Sequence, residues 1–327
     1  MKQLSYSDAI REALSEEMER DPGVFLMGED IAVAGNPYFL ATRGLLERFG
    51  KERVLDAPIS ESAIVGAAIG AALSGMRPVI ELMFSDFSLV AMDQILNQLA
   101  KIRYMTGGET EVPVVLRAPT GAYVSGAAQH SQSLEAVFCH VPGLVVIAPA
   151  TPADAKGLLK SAIRLPDPVV FLEHKVLYSR QDGVPEGEHI ESIGRAVVRR
   201  SGNDISIISY SYASLMCLQA ADALATQGVS AEVIDLRTLN PLDESTIIDS
   251  VRKTGRALVV YEAWKRLGYG AEIVAMLMET CFDSLKSPVR RVASENVPMP
   301  FGENLEKRVL PSVEKIKVAA QGMLGRR

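Results

Sequence analysis

Short apolar runs alternate with amphipathic helical stretches along this chain, in two separate blocks, and that alternation limits its fold more than any other feature. A run that is apolar at every residue, not at every second one, suits a strand covered on both faces. Parallel sheets flanked by helices provide that setting. In the first block the runs are 24–27, 79–84, 114–116, 144–148 and 169–172, with helical segments at 5–20, 61–74, 87–104 and 152–164. Thr151-Pro152 opens the last helix with an N-cap hydroxyl and a first-turn proline, so the preceding strand ends near Pro149. The second block has runs at 205–209, 231–236, 258–261 and 289–292, with helices at 213–227, 243–253 and 270–284 and a closing helix from 311. Right-handed crossovers then give a second parallel sheet. The expected fold class is α/β, two three-layer domains with mainly parallel sheets.

At 327 residues the chain is long enough to divide, because a single core gains little beyond roughly 300 residues. Between the blocks the pattern dissolves into Ser179-Arg180-Gln181-Asp182-Gly183-Val184-Pro185-Glu186-Gly187. This sets the expected boundaries: a domain over 1–180, a linker over 181–194 and a domain over 195–327.

The net charge of −6, with no basic block before Arg326-Arg327, argues against a nucleic-acid partner. The longest apolar stretch, 63–76, is stopped by Arg77-Pro78 and falls short of the ~18–20 residues of a membrane span. The N-terminus enters an amphipathic pattern directly, without a secretory signal, so the expected location is cytoplasmic. Cys139, Cys217 and Cys281 are odd in number and far apart, which supports neither a disulfide framework nor a zinc cluster.

Common site motifs fail on spacing. No Gly-x-Gly-x-x-Gly follows a strand. Gly44 and Gly50-Lys51 are one residue too far apart for a P-loop, with Glu52 where Ser or Thr belongs. Ser125, between Gly121 and Gly126, sits one residue too late for a nucleophile elbow. His130, His140, His174 and His189 lack the pairing of a helical metal site.

Two segments stand out instead. Glu61 opens a helix built almost entirely of Gly, Ala, Ile and Val (Asp56-Ala57-Pro58-Ile59-Ser60-Glu61-Ser62-Ala63-Ile64-Val65-Gly66-Ala67). A carboxylate there answers the helix dipole whatever its function. So little side-chain bulk also permits close approach by a backbone or a flat ligand, and burial would raise the pKa of the acid. The second segment, 121–133, is a loop of Gly, Ala and Ser that delivers Gln129-His130-Ser131-Gln132. Its imidazole is either an incidental loop histidine or an acid/base group suited to neutral pH.

Together with Glu81-Leu82-Met83-Phe84-Ser85-Asp86-Phe87, Asp93-Gln94-Ile95-Leu96-Asn97-Gln98, Arg103-Tyr104-Met105-Thr106-Gly107-Gly108 and Val233-Ile234-Asp235-Leu236-Arg237-Thr238-Leu239-Asn240-Pro241, these segments resemble the beta subunits of the first components of 2-oxo acid dehydrogenase complexes. The resemblance runs over about 4–320. It implies a transketolase-like pyrimidine-binding domain followed by a transketolase C-terminal domain. In that family Glu61 faces N1′ of the thiamine diphosphate aminopyrimidine and favours the imino tautomer that generates the ylid. Phe87 stacks on the ring, Met83 and Ile59 lie near the cofactor, and His130 assists proton movement as the acyl group passes to lipoamide.

The family anchors the diphosphate through Mg2+ on a Gly-Asp-Gly segment, which this sequence lacks. The resemblance therefore implies that an alpha subunit holds Mg2+ and diphosphate in an α2β2 heterotetramer, with a lipoyl acyltransferase component as further partner. It also implies a potassium site on main-chain carbonyls near Val114, Ala162, Leu165 and Asp167, although Leu165-Pro166-Asp167 is less polar than in many relatives. At 33–39 the chain carries Asn36-Pro37-Tyr38-Phe39 where relatives have a Gly-Gly-Val-Phe type segment, which points to a different substrate entry or alpha-chain contact. The substrate classes implied are pyruvate or acetoin, with branched-chain 2-oxo acids next. A non-catalytic scaffold retaining the fold is the alternative from another class.

Overall fold

The strands of the first block lie parallel, as the apolar runs require. The computed structural model describes residues 1–32 and 40–325, so the atypical segment 33–39 lies outside the described residues. Two units are distinguished, Met1–Thr120 with Val137–Ile193, and Gly121–Ala136 with Gly194–Arg327. The loop that carries His130 thus belongs with the second unit, although it interrupts the first in sequence.

In the first unit β1 (Lys2–Ser5) precedes β2 (Val24–Gly28), β3 (Val54–Asp56), β4 (Arg77–Glu81), β5 (Val115–Thr120), β6 (Val145–Ile147), β7 (Val169–His174) and β8 (Gln181–Val184). Strands β2 to β7 run parallel in the order β6-β7-β5-β4-β2-β3. Helices α1 (Tyr6–Arg20), α2 (Leu45–Phe49), α3 (Glu61–Leu73), α4 (Ile102–Met105), α5 (Glu135–Cys139) and α6 (Pro152–Arg164) connect them. Helix α1 starts at Ser5, whose hydroxyl accepts the Asp8 N–H at 3.1 Å, and packs against α6. Buried Lys156 and Lys160 of α6 both reach Glu16 of α1, at 2.6 and 2.7 Å. Helix α6 starts as the sequence indicates: Thr151 is the N-cap and accepts from the Asp154 N–H at 3.2 Å.

Two local expectations are corrected. The helix expected over 87–104 is broken into a 3-10 segment Ser85–Ala91, a π-helical turn Gln94–Leu99 and α4. Hydroxyls compete for its carbonyls: Ser88 donates to the Ser85 carbonyl at 2.6 Å, and Ser62 of α3 donates to that of Val90 at 2.8 Å. The stretch expected to be a linker from 181 begins instead with β8, paired antiparallel to β1 in a two-stranded sheet.

The second unit contains β9 (Val197–Arg200), β10 (Ile205–Ser209), β11 (Ala231–Asp235), β12 (Thr238–Asn240), β13 (Ala257–Trp264) and β14 (Arg290–Ser294). Its helices are α7 (Ser211–Ala225), α8 (Glu244–Thr254), α9 (Gly270–Thr280), α10 (Glu303–Val309) and α11 (Val313–Met323). The sheet β14-β13-β10-β11-β9 is parallel except at β9. The sheet is mainly parallel, as expected, and β9, which no apolar run marks, adds an antiparallel edge. Its Val-Val-Arg-Arg sequence shows neither an apolar run nor alternation, as befits a half-buried, charged edge. Cys217 and Cys281 are buried, Cys139 is half-buried, and none of the three is in a disulfide. No helix among the described residues is long and apolar enough to cross a membrane.

Replacing Thr151 with Ala should cost about 1 kcal/mol of stability by removing the α6 cap. Equilibrium urea unfolding measures this, and an unchanged midpoint would show that the cap contributes nothing.

Candidate functional site

Strands β3, β2 and β4 end in register, Asp56 beside Gly28 and Gly28 beside Glu81. The carboxyl ends of parallel strands are where open α/β sheets bind ligands. Only glycine fits at position 28, since a Cβ there would stand 2.7 Å from the Glu81 carbonyl oxygen. The next residue, Glu29, is buried and accepts the Ser60 N–H. Glu61, the first residue of α3, is 7% exposed. Two acids therefore share one buried corner. Burial, reinforced by the charge of Glu61, pushes Glu29 up to about 7. Glu29 Oε1 is buried without a hydrogen-bond partner among the described residues.

Beneath this pair lies a buried ion cluster. Arg117 of β5 donates through Nε and Nη2 to Glu173 of β7 at 2.6 and 2.8 Å, and through Nη1 to Glu81 of β4 at 2.6 Å. The Tyr178 hydroxyl donates to Glu173 at 2.7 Å. Burial holds the Glu81 carboxyl above its ordinary range even though Arg117 pulls it down.

After β4 the Met83–Phe84 peptide is cis, and the Phe84 ring receives the Lys175 ammonium 4.3 Å from its centroid. Met83 and Phe87 are half-buried, and the segment Ser85–Ala91 that carries Phe87 packs on α3. Ile59 is exposed, at 80%. Four expected cofactor residues, Glu61, Ile59, Met83 and Phe87, thus belong to the first unit. Of the α3 surface, Ile64, Val65, Ala68 and Ile69 are buried, while Ser62, Ala63, Ala67 and Gly70 are exposed.

His130 is exposed on the loop 121–136 of the second unit. Three non-glycine residues of that loop, Tyr123, Ser125 and Ala127, have φ of 65°, 54° and 59°, in the left-handed region that side chains disfavour. Buried Glu262 at the end of β13 and buried Glu306 of α10 accept backbone N–H groups from the loop. Burial pushes Glu135, at the loop's end, up to about 8, with the charge of Glu262 adding to the effect.

The expected potassium carbonyls gather around the C-terminus of α6, but they already have donors. The Val114 carbonyl accepts from the Val169 N–H at 2.9 Å and that of Ala162 from the Leu165 N–H at 3.2 Å. Arg77 Nη1 reaches the Ile163 and Leu165 carbonyls at 3.0 and 3.1 Å. The Asp167 carboxylate pairs with Arg103 at 2.6 Å. Arg77 thus supplies positive charge where a cation would, and the fit to potassium is poor. Among the described residues no group of three or more His, Cys, Asp or Glu could hold a metal ion.

Sequence reasoning missed Glu29, Glu135, Glu262 and Glu306. Glu29 and Glu262 had a signal, an acid directly after an apolar strand, in Gly28-Glu29-Asp30 and after the run 258–261. Glu135 and Glu306 had none, since their burial depends on tertiary packing.

The sequence matches the transketolase pyrimidine-binding domain over residues 2–181 and the transketolase C-terminal domain over residues 194–316. A 2-oxoisovalerate dehydrogenase subunit beta of Bacillus subtilis is 46% identical, covering 98% of this chain and 98% of its own. The acetoin:2,6-dichlorophenolindophenol oxidoreductase subunit beta of Cupriavidus necator is 47% identical, covering 98% and 97%. A pyruvate dehydrogenase E1 component subunit beta of Rickettsia felis is 45% identical, covering 95% of each chain. Among solved structures, a split gene transketolase in an inactive beta4 tetramer aligns with TM-score 0.78 over 98% of each chain at 24% identity.

Replacing Arg117 with Met should destabilise the chain by about 3–5 kcal/mol, because Glu81 and Glu173 would stay buried without their counter-charge; urea unfolding tests this. Glu29 and Glu135 have folded pKa values raised above the ordinary 4.5. Their contribution is therefore fully present below that value and lost as pH rises through about 7 and about 8. Between about pH 5 and about pH 8, melting of a Glu29→Gln, Glu135→Gln double variant should depend less on pH than that of the parent. Parallel curves would refute the assignment.

Proposed function

We propose, from the premise that this chain belongs to the family of transketolase-like beta subunits of 2-oxo acid dehydrogenase first components, that it works with an alpha subunit on pyruvate or acetoin and passes the acyl group to lipoamide. The observation that carries this reading is the buried Glu29–Glu61 pair at the carboxyl ends of β2, β3 and β4. Two interacting acids there hold a proton near neutrality. The orphaned Glu29 oxygen and the small-residue surface of α3 suit a flat, hydrogen-bonding heterocycle, so the residues present fit the aminopyrimidine of thiamine diphosphate.

Bound there, thiamine diphosphate supplies the carbon nucleophile and electron sink that decarboxylation requires. Glu61 faces the pyrimidine ring nitrogen and exchanges a proton there, beside Glu29, whose carboxyl burial and the charge of Glu61 push up to about 7. Phe87 and Met83 cover the ring and exclude water, with Ile59 at the entrance. His130 moves a proton during acyl transfer to the lipoyl sulfur. Mg2+ and the diphosphate fall to the alpha chain, because the sequence has no Gly-Asp-Gly. The assembly is an α2β2 heterotetramer in the cytoplasm, serving a lipoyl acyltransferase. Pyruvate and acetoin rank ahead of branched-chain 2-oxo acids. Relatives named for all three lie within 45–47% identity, so overall similarity does not separate them.

In the reconstituted pair, Glu61→Gln should lower turnover by about 10²- to 10⁴-fold while native mass spectrometry still finds the tetramer. Undiminished decarboxylation would defeat the assignment. Comparing kcat/KM for pyruvate, acetoin and a branched 2-oxo acid fixes the substrate.

A further inference from the structure

The segment 121–136 is anchored by acids distant in sequence. Glu262 Oε1 accepts the Ala122 N–H at 2.6 Å on one stem and the Ser133 hydroxyl at 3.2 Å on the other. The Glu262 carbonyl in turn receives the Ser294 hydroxyl, which fixes this turn of β13. Glu306 Oε2 accepts the Ser125 N–H at 3.3 Å, and the Tyr123 hydroxyl donates to the Pro311 carbonyl at 2.8 Å. Between these anchors the left-handed residues Tyr123, Ser125 and Ala127 hold a conformation that an unanchored loop would abandon. The chain also folds tightly on itself beside the imidazole. A Cβ on Gly126 would stand 2.8 Å from Ser131 Oγ and 3.0 Å from the His130 carbonyl oxygen.

We propose that Glu262 is a positioning residue, whose carboxylate ties both stems of this loop and so fixes the place from which His130 meets the acyl acceptor. The proposal rests on the role assigned to His130 above. A single oxygen bonded to both stems opposes their separation, and a group held in place keeps its productive geometry without reordering at each turnover. Glu306 acts on the same loop at its strained middle, which explains why a helix so near the C-terminus carries a buried acid.

The test uses the reconstituted α/β assembly with Glu262→Ala, Glu262→Gln and His130→Ala. Two rates are compared, acylation of lipoamide and decarboxylation coupled to an artificial dye, together with hydrogen exchange of the amides in 121–133. In Glu262→Ala the ratio of acylation to dye-coupled rate should fall about tenfold, as positional loss predicts, and loop exchange should quicken. Glu262→Gln keeps a carbonyl oxygen to accept the Ala122 N–H and should recover most of both. Equal losses in the two rates, unchanged exchange, or a Gln variant no better than Ala would each overturn the proposal. If His130→Ala lowers acylation and Glu262→Ala does not, the positioning role alone fails. If His130→Ala leaves acylation intact, the assigned role of the imidazole fails first.

Discussion

One guanidinium holds the middle of the first unit together and sets the charge beneath its site. Arg117 is 1% exposed and bridges Glu81 and Glu173 across three adjacent strands. Burying such ions is costly unless each finds partners, and here the bidentate bond to Glu173 and the Tyr178 hydroxyl complete the set. One guanidinium faces two carboxyl groups, and burial pushes that of Glu81 up although Arg117 pulls it down. Glu29 is raised chiefly by burial and by the charge of Glu61, with Glu81 a minor contributor.

Shape follows from the same strands. With β2, β3 and β4 ending level, Gly28 lets the chain pass tightly over the Glu81 carbonyl and places Glu29 on the sheet's carboxyl edge. Helix α3 then begins at Glu61, where the positive end of its dipole favours a carboxylate. Dipole complementarity and burial, both open for Glu61 on sequence alone, coexist: the helix end favours a carboxylate at a residue that is 7% exposed.

The strands were legible because their apolar runs are local signals: 24–27 lies inside β2, 169–172 inside β7 and 205–209 coincides with β10. The helix 152–164 was legible to the residue, since its cap and proline are adjacent in sequence. The segment 87–104 misled, as its apolar pattern is helical while hydroxyls from Ser88 and from a separate helix take the carbonyls a helix needs. Glu61 was visible as an acid opening a bland helix. Glu135 and Glu306 resemble ordinary surface acids in sequence, and their meaning comes from what covers them.

The loop carrying His130 shows how sequence neighbours and packing neighbours can separate. It lies within the stretch 2–181 that matches the pyrimidine-binding domain, yet it packs in the unit that contains β10 to β14. Its composition explains why that is feasible: small residues tolerate left-handed backbone better than bulky ones, and short side chains leave the amides open to buried acceptors. Glycine at every strained position would relieve the cost but leave a loop free to take many shapes. Tyr123, Ser125 and Ala127 accept the strain instead, and the carboxylates of Glu262 and Glu306, with the Pro311 carbonyl, make a single conformation the favoured one. The shape of the loop that carries His130 thus depends on anchors remote in sequence.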